Sequence, residues 1–321
     1  MSKMSRLPDV VVAVDLGGTS LKGSLVSETG ETVATRTRMT PAQGIVDALM
    51  LLIDELMEAA TANDRRVVAA AVVTPGMVDE RTGVVVYASN LNWRDVPLLE
   101  QLQRRLSVPV SVGHDVRAAG LAESRLGAAM GVDDFTLIPI GTGMAAALVS
   151  SADPIRGALG AAGEIGHIPI VQGGEPCACG QRGCLEVYVS GAGVARRYAA
   201  RAGGRLSSRQ IVARLGTDPD ADAVWEDATR ALAQGLAIVT LLLDPGVIVL
   251  GGGFSQAGSA LLDPVTRYLD ESLAWRDAPR VVLSSLGGDA GRVGAALLAF
   301  ASVGRLDVAD RWVLDTVRVP L

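Results

Sequence analysis

Two apolar stretches that each run through a glycine- and threonine-containing turn into a second apolar stretch constrain the fold of this chain most. The first, VVVAVDLGGTSLKG, begins at Val10, and the second, FTLIPIGTGMAAALVS, spans residues 135–150. A short apolar run bounded by turn residues is typical of a buried strand. Each stretch therefore predicts a strand, a tight turn and a return strand, and the shared order suggests a unit that occurs in both halves of the chain.

The segments between and after these stretches predict an α/β protein of two domains. Apolar residues at helical spacing predict helices over residues 42–62, 98–106, 118–126 and 229–243. Further strands are predicted at residues 31–38, 67–73, 109–113 and 247–253, of which 67–73 and 247–253 are expected to be buried. We expect an N-terminal α/β domain over 1–117, a C-terminal α/β domain over 118–302, and a C-terminal helix over about 303–321 that returns to the first domain.

Composition and charge exclude several classes of function. The chain has 321 residues, enough for two domains, and its net charge is −6 without a basic cluster. This balance argues against nucleic acid as a partner. No apolar run reaches the length of a membrane span, and the polar start MSKMSRLPD lacks the apolar core of a signal peptide. We therefore expect a cytoplasmic protein without a membrane partner.

Three glycine turns follow predicted strands and could hold a phosphate-bearing ligand. Glycines let backbone N–H groups approach a phosphate closely, and an aspartate at a strand end can hold Mg²⁺, usually through water. The candidate residues are Asp15, Gly17, Gly18 and Thr19 in the first turn, Gly141, Thr142 and Gly143 in the second, and Gly251, Gly252 and Gly253 in the third. An ordinary glycine hairpin remains the alternative for each turn taken alone.

Two common nucleotide-binding patterns are missing from these turns. Neither of the first two turns is a P-loop, since G-x-x-x-x-G-K-[ST] is absent. The third turn fails the dinucleotide spacing G-x-G-x-x-G because Gln256 stands at its last position. Three such turns spread over two domains fit a nucleotide held in an interdomain cleft.

One histidine and all three cysteines of the chain lie close together in sequence, within GEIGHIPIVQGGEPCACGQRGCLE. His167, Cys177, Cys179 and Cys184 would make a closed tetrahedral set of three thiolates and one imidazole, which is typical of structural Zn²⁺. The alternative is three unrelated buried thiols.

Together these motifs resemble the ROK family of bacterial sugar kinases and regulators over nearly the whole chain. DLGGTSLKG is similar to the family's first phosphate turn, TPGMVD and SNLNW to its sugar-domain segments, and VIVLGGG and GDAGRVGAA to its adenosine-side segments. GEIGH followed by CACGQRGCLE is similar to the family's zinc signature and is the most specific element. The resemblance implies the actin/hexokinase-like ATPase fold, two α/β domains with ribonuclease H-like sheets around a cleft.

The resemblance also implies roles for individual residues. Asp115 is the expected general base that accepts the proton of the attacking sugar hydroxyl. The expected sugar-binding residues are Ser89, Asn90, His114, Asp115, Glu164, His167 and Glu186. The implied ligands are a sugar, ATP, Mg²⁺ and structural Zn²⁺, with polyphosphate as the alternative phosphoryl donor. Relatives are commonly dimers or tetramers, so a homodimer or homotetramer is expected.

The sequence departs from the family pattern beside the expected base. The family usually reads N-D-A-N, whereas this chain has His114 and Arg117 at the two asparagine positions, and Met144 and alanines where the family favours glycines. Three hypotheses follow: a kinase with shifted sugar specificity, a kinase for an amino or acidic sugar whose anionic group Arg117 would bind, and a sugar-binding regulatory protein that has lost phosphoryl transfer. For Arg117 and His114, a solvated helix residue and a hydrogen-bonded loop histidine are the alternatives.

We expect an ATP-dependent kinase that phosphorylates glucose or a close relative. The first predicted strand begins near residue 10, which leaves no room for the N-terminal DNA-binding domain of the family's repressors and favours the kinase.

Overall fold

The structure is a computed structural model that describes residues 7–141 and 143–312. The described residues form two compact units. Unit 1 takes its residues from Met1–Met130, Arg156–Ala161 and Asp289–Leu321, and unit 2 from Gly131–Ile155 and Ala162–Gly288.

Unit 1 contains a five-stranded sheet with the order β3-β2-β1-β4-β8 and a three-stranded sheet with the order β5-β6-β7. The strands are β1 (Asp9–Leu16), β2 (Ser20–Ser27), β3 (Thr32–Met39), β4 (Arg66–Thr74), β5 (Met77–Asp79), β6 (Val84–Ala88), β7 (Trp93–Val96) and β8 (Val110–His114). The helices are α1 (Ile45–Ala62), α2 (Leu98–Gln103), α3 (Asp115–Leu126) and α9 (Ala290–Ser302).

Residues 10–14 of strand β1 are all apolar and buried, and helices α1 and α9 pack against the strand. Its valines Val10, Val12 and Val14 pack in one core with Leu52 and Leu56 of α1. A strand that is buried on both faces reads as a continuous apolar run rather than an alternating one. The pairing of β1 is antiparallel with β2 and parallel with β4.

Unit 2 contains a second five-stranded sheet with the order β11-β10-β9-β12-β13. Its strands are β9 (Phe135–Pro139), β10 (Ala147–Ser150), β11 (Asp153–Pro154), β12 (Val247–Gly251) and β13 (Arg280–Leu283). Its helices are α4 (Leu185–Val189), α5 (Gly191–Ala202), α6 (Ser208–Val212), α7 (Pro219–Leu243) and α8 (Ser259–Ser272).

The two five-stranded sheets repeat one topology. In each, three strands that follow one another in sequence pair antiparallel, a later strand pairs parallel with the first of them, and a fifth strand pairs parallel with that later strand. The strand–turn–strand repeat in the sequence therefore corresponds to a structural repeat, and the α/β class is confirmed.

The division of the chain differs from the predicted one at both ends of the second domain. Helix α3 belongs to unit 1, so the first crossing follows Met130 instead of residue 117, and the return to unit 1 begins at Asp289 instead of residue 303. The reason is packing: α9 lies against β1, β4 and α3. Residues 306–311 form a short 3-10 helix, and residues 313–321 of the predicted C-terminal helix lie outside the described part of the chain.

Two helices begin earlier than predicted because of residues that cap them. Helix α3 begins at Asp115 rather than at residue 118, with His114 as its N-cap. Helix α7 begins at Pro219 rather than at residue 229, where the Asp218 carboxylate accepts the N–H groups of Asp220 and Ala221. Within residues 7–141 and 143–312, no helix is both long and apolar enough to cross a bilayer.

Candidate active site

Asp15 stands near the end of β1, directly before the first glycine turn. The turn is closed by the Gly17 N–H, which donates to the Ser20 carbonyl at 2.9 Å. The hydroxyl of Thr40, a residue that the sequence did not single out, donates to the Gly17 carbonyl at 2.6 Å. Burial and the charge of Asp115 raise the pKa of Asp15 to about 6, against a smaller opposing effect of Lys22.

Asp115 is the first residue of α3 and follows β8 directly. Strands β1, β4 and β8 are parallel neighbours, so Asp15 and Asp115 lie at the same, carboxyl edge of the sheet. Burial raises the pKa of Asp115 to about 6, although 29% of its side chain remains exposed. The Val116 N–H, which donates to Asp115 Oδ1 at 2.7 Å, and the charge of Arg117 act in the opposite direction. Two oxygen donors at one edge fit a hard cation such as Mg²⁺.

The segment that resembles a sugar-side turn lies in the same unit. Ser89 and Asn90 are exposed and belong to a 3-10 turn that follows β6. A Cβ placed on Gly18 would lie 3.2 Å from the Asn90 Cβ, so the first glycine turn and the Asn90 turn are in contact. The exposed Thr19 completes that glycine turn.

His114 and Arg117 have different surroundings from those that the sequence suggested. The Arg117 N–H donates to His114 Nδ1 at 3.4 Å, so the buried His114 ring caps α3 rather than standing in a loop. Arg117 is only 5% exposed, and its guanidinium donates to Glu80, to the Gly160 carbonyl and to the Val78 carbonyl. The alternative that Arg117 is a solvated helix residue was wrong, because Glu80, 37 residues away, pairs with the guanidinium.

The same contacts bear on the acidic-sugar hypothesis. All three nitrogens of the Arg117 guanidinium donate hydrogen bonds inside unit 1. The structure therefore gives Arg117 a partner in the protein and gives no support to its proposed role as the ligand of an anionic sugar.

Unit 2 carries the other two glycine turns. Gly141 and Gly143 are exposed after β9, whereas Thr142 lies outside the described residues. Gly251 ends β12, and Gly252 follows it with a φ of 75°; a Cβ there would lie 2.4 Å from the Ile140 carbonyl oxygen. A side chain at position 252 would meet both a disfavoured φ and the Ile140 carbonyl, so only glycine suits that position. The exposed Gly253 begins a short 3-10 helix.

Glu186 connects the second glycine turn to α4. It lies in the first turn of that helix, and its Oε2 accepts the Met144 N–H at 2.9 Å. Because α4 begins directly after Cys184, the same short helix adjoins the cysteine cluster. No local sequence pattern indicates this contact, since Glu186 and Met144 are 42 residues apart.

His167, Cys177, Cys179 and Cys184 come together in unit 2, with one ligand atom of each within 4.8 Å of all the others. The Cys179 and Cys184 sulfurs are 3.7 Å apart, and all three cysteines are free thiols. Tetrahedral zinc with Zn–S bonds of about 2.3 Å places its sulfurs about 3.8 Å apart, so the donor set fits zinc. Burial raises the pKa of Cys184 to about 12, because the buried thiolate is poorly solvated. A bound dication stabilises the thiolate and so offsets this unfavourable effect of burial.

The two ring nitrogens of His167 face different partners. Nδ1 lies 3.8 Å from the Cys177 sulfur, and Nε2 lies 3.8 Å from a carboxylate oxygen of Glu164. The ring can therefore meet a metal with one nitrogen while its other nitrogen faces Glu164. Glu164 directly precedes the 3-10 helix Ile165–His167 and is half-buried.

The comparisons with known proteins agree with this arrangement. The ROK family profile matches residues 11–302. A curated glucokinase of Streptomyces coelicolor is 33% identical over 313 residues, which cover 90% of this chain and 97% of that protein. A solved ROK family glucokinase from Streptomyces griseus, in complex with glucose and AMPPNP, matches with a TM-score of 0.79 and 33% identity over 91% of this chain and 99% of that one.

A solved regulator is similar as well. The ROK family transcriptional regulator described as a homologue of the Escherichia coli MLC protein matches with a TM-score of 0.85 and 28% identity, over 95% of this chain and 82% of that one. These matches confirm the actin/hexokinase-like ATPase fold expected from the sequence. With the family profile spanning most of its length, the chain belongs to the ROK family.

Proposed function

We propose that this protein transfers the γ-phosphoryl group of ATP to a hydroxyl of glucose or a close relative, with Asp115 as the general base. The observation that carries the proposal is the placement of Asp115 and Asp15 at one edge of the sheet, where burial makes the Asp115 carboxylate more basic than usual. The similarity to glucokinases supports sugar and ATP as the substrates.

In the proposed reaction, the Asp115 carboxylate accepts the proton of the attacking sugar hydroxyl. The hydroxyl oxygen forms a bond to the γ-phosphorus, and the bond from that phosphorus to the bridging oxygen breaks, so ADP leaves with the electron pair. Phosphoryl transfer through a loose transition state depends mainly on positioning and charge stabilisation. Mg²⁺ bound with ATP would supply positive charge to the phosphate oxygens, and Asp15 is the residue that would hold it, through water.

The remaining site residues divide between the two units. Ser89, Asn90 and His114 of unit 1 and Glu164, His167 and Glu186 of unit 2 are the proposed sugar ligands. The glycine turns at 17–19 and 141–143 are the proposed phosphate ligands, and 251–253 the adenosine-side segment. The contact of the Glu186 carboxylate with the Met144 N–H supports a link between sugar and phosphate recognition within unit 2.

Zinc is proposed as a structural metal bound by His167, Cys177, Cys179 and Cys184. The geometry of His167 supports a second role for this set, since the Nε2 that faces Glu164 would be fixed in direction by the metal on Nδ1. A cytoplasmic location, a homodimer or homotetramer, and the lack of a nucleic-acid partner stay predictions.

A second candidate is a sugar-binding regulatory protein without phosphoryl transfer. It is favoured by the similarity to the MLC homologue and by the run Met144-Ala145-Ala146, which adds side chains where the family favours glycine.

The experiment that separates the two candidates combines turnover with binding. ADP release from ATP is measured over a panel of glucose, other neutral hexoses, hexosamines and acidic sugars, and sugar phosphate is detected by mass spectrometry with ATP or polyphosphate as donor. The proposal expects saturable turnover on glucose or a neutral relative with ATP. Saturable sugar binding without turnover on any sugar would contradict the kinase and favour the regulator.

A further inference from the structure

Glu80, a carboxylate with no part in the proposed reaction, lies directly after β5 and is largely buried. Its Oε1 accepts two hydrogen bonds, from the His114 N–H at 3.1 Å and from Arg117 Nε at 2.9 Å. Its Oε2 accepts one from Arg156 Nε at 2.7 Å. Glu80, Arg117 and Arg156 form the Glu80 cluster.

The first of these contacts reaches the proposed base. His114 is the last residue of β8 and the N-cap of α3, and Asp115 is the next residue. The His114 amide points to Glu80 while the His114 ring accepts the Arg117 N–H. The turn that carries Asp115 is therefore held by two hydrogen bonds. Glu80 accepts the backbone N–H of His114, and the His114 ring accepts the backbone N–H of Arg117 in the first turn of α3.

The other contacts hold a separate segment of the chain. Residues 156–161 belong to unit 1, although the chain on both sides of them belongs to unit 2. Arg156 pairs with Glu80 at one end of this segment, and the Gly160 carbonyl accepts Arg117 Nη1 at 3.1 Å near the other. Gly160 has a φ of 71°, and a Cβ there would lie 2.6 Å from the Val78 carbonyl, so the segment lies directly against the strand before Glu80.

The two arginines of the Glu80 cluster stabilise the ionised form of the Glu80 carboxylate and hold it in place. Burial by itself raises the pKa of Glu80, but the charge and hydrogen bond of Arg117, together with the bonds from Arg156 and His114, outweigh burial and lower it. A buried carboxylate that accepts several charge-assisted hydrogen bonds is fixed in position more strongly than one with a single neutral partner.

We propose that Glu80 is a positioning residue that fixes two segments of unit 1, with Oε1 holding the His114–Asp115 turn and Oε2 holding residues 156–161 through Arg156. This inference rests on the proposed function, since it assigns Glu80 to the placement of the proposed base. Arg117, at a position where the family usually has asparagine, holds Glu80 and the Gly160 carbonyl.

Two substitutions at position 80 distinguish the roles of the two carboxylate oxygens of Glu80. Glu80→Gln can keep a carbonyl oxygen for the His114 N–H and Arg117 Nε, while its NH₂ group cannot accept from Arg156. Glu80→Ala removes both acceptors. We expect kcat to fall about 100-fold in Glu80→Ala, because misplacement of a catalytic group by about 1 Å costs about that much. The same variant should keep the sugar KM within about threefold, and Glu80→Gln should recover kcat to within about tenfold of the parent.

Asp9 provides the matched control. Its buried carboxylate also bridges two arginines of unit 1, Arg66 at 2.7 Å and Arg305 at 3.0 Å, but it lies at the start of β1 and away from Asp115. Asp9→Ala should lower stability without the selective loss of kcat. A loss of kcat in Glu80→Ala no larger than that in Asp9→Ala, or a Glu80→Gln variant as slow as Glu80→Ala, would overturn the proposal.

Hydrogen exchange measured by mass spectrometry tests the cluster without turnover. Glu80→Ala should increase the exchange rate about tenfold both in the peptide that contains His114 and in residues 156–161, because these segments should open more often without Glu80. Glu80→Gln should increase it only in residues 156–161, and Asp9→Ala in neither. If the parent phosphorylates no sugar, the proposed function fails while this exchange pattern still decides whether Glu80 fixes the two segments; unchanged exchange in Glu80→Ala would overturn it.

Glu80→Ala leaves Arg117 buried without its carboxylate, which can prevent folding. The double substitution Glu80→Ala with Arg117→Met removes both buried charges and should show the same rise in exchange at His114. Parent-like exchange at His114 in the double variant would equally overturn the inference.

Discussion

Asp115 stands at the start of α3 with a carboxylate that burial makes more basic than an ordinary aspartate. Burial is the main cause of the raised pKa of about 6 at both Asp115 and Asp15, and the charge of Asp115 adds to the shift at Asp15. A general base must be deprotonated to act. The pKa of the base therefore sets the acidic limit of activity.

The first prediction concerns this limit. Below about pH 6, kcat/KM for the sugar should fall by about tenfold per pH unit. The free energy of unfolding changes with pH in the opposite direction to activity. Because the pKa of Asp115 is raised in the folded protein, Asp115 contributes its full stabilisation below pH 3.8, its pKa in the unfolded chain. That stabilisation is lost as the pH rises through about 6. A kcat/KM profile measured from pH 4.5 to 8 checks this, and an acidic midpoint near pH 4 would contradict it.

Arg117 supports a second prediction at the same scale. Because its guanidinium donates only to groups of unit 1 in the contacts described above, Arg117→Met should not change which sugar is preferred. Removing one partner of a buried ion pair should lower the free energy of unfolding by about 3 kcal/mol. Denaturant unfolding and the sugar panel measure the two effects. If Arg117→Met selectively lost activity on acidic sugars, this prediction would be contradicted and the hypothesis that Arg117 binds their anionic group would be supported.

At the scale of elements, the segment from Glu164 to Glu186 has little regular structure to hold it. Between the 3-10 helix Ile165–His167 and α4 it contains only isolated bridges, among them Pro169 with Cys184 and Pro176 with Arg182. Such a segment buries few apolar side chains, so a metal would supply much of its order.

The third prediction is that zinc stabilises this segment. Metal analysis should find about one zinc ion per chain, since the cluster offers one tetrahedral site. A strong chelator should lower Tm by about 5 °C if the metal contributes about 3 kcal/mol, and added Zn²⁺ but not Mg²⁺ should restore it. Purified protein that contains no zinc would refute the site.

At the scale of the whole molecule, the strand–turn–strand opening of each five-stranded sheet could be predicted from the sequence, because buried strands and glycine turns are local signals. The run Val10–Val14 predicted β1 because both faces of that strand are covered. The clustering of His167 with three cysteines was likewise local, since all four ligands fall within 18 positions.

Other features depend on contacts that no local pattern records. The strand β5 has three residues, too few for a recognisable alternation. The residues of α9 fell within the predicted second domain, because an apolar segment shows that it is buried but not which sheet covers it. The pairing of Arg117 with Glu80 joins residues far apart in the chain, so the sequence showed an arginine out of pattern without showing its partner.

The central claim is that Asp115 is the base of a phosphoryl transfer to sugar, and Asp115→Asn tests it most directly. The amide keeps the size of the side chain but cannot accept the proton as a carboxylate does. Sugar binding by calorimetry and single-turnover phosphorylation with ATP should be measured together on parent and variant. We predict a sugar Kd within about threefold of the parent and a rate that falls by about 10²–10⁴-fold. A variant that retains the parent's rate would contradict the assignment of Asp115.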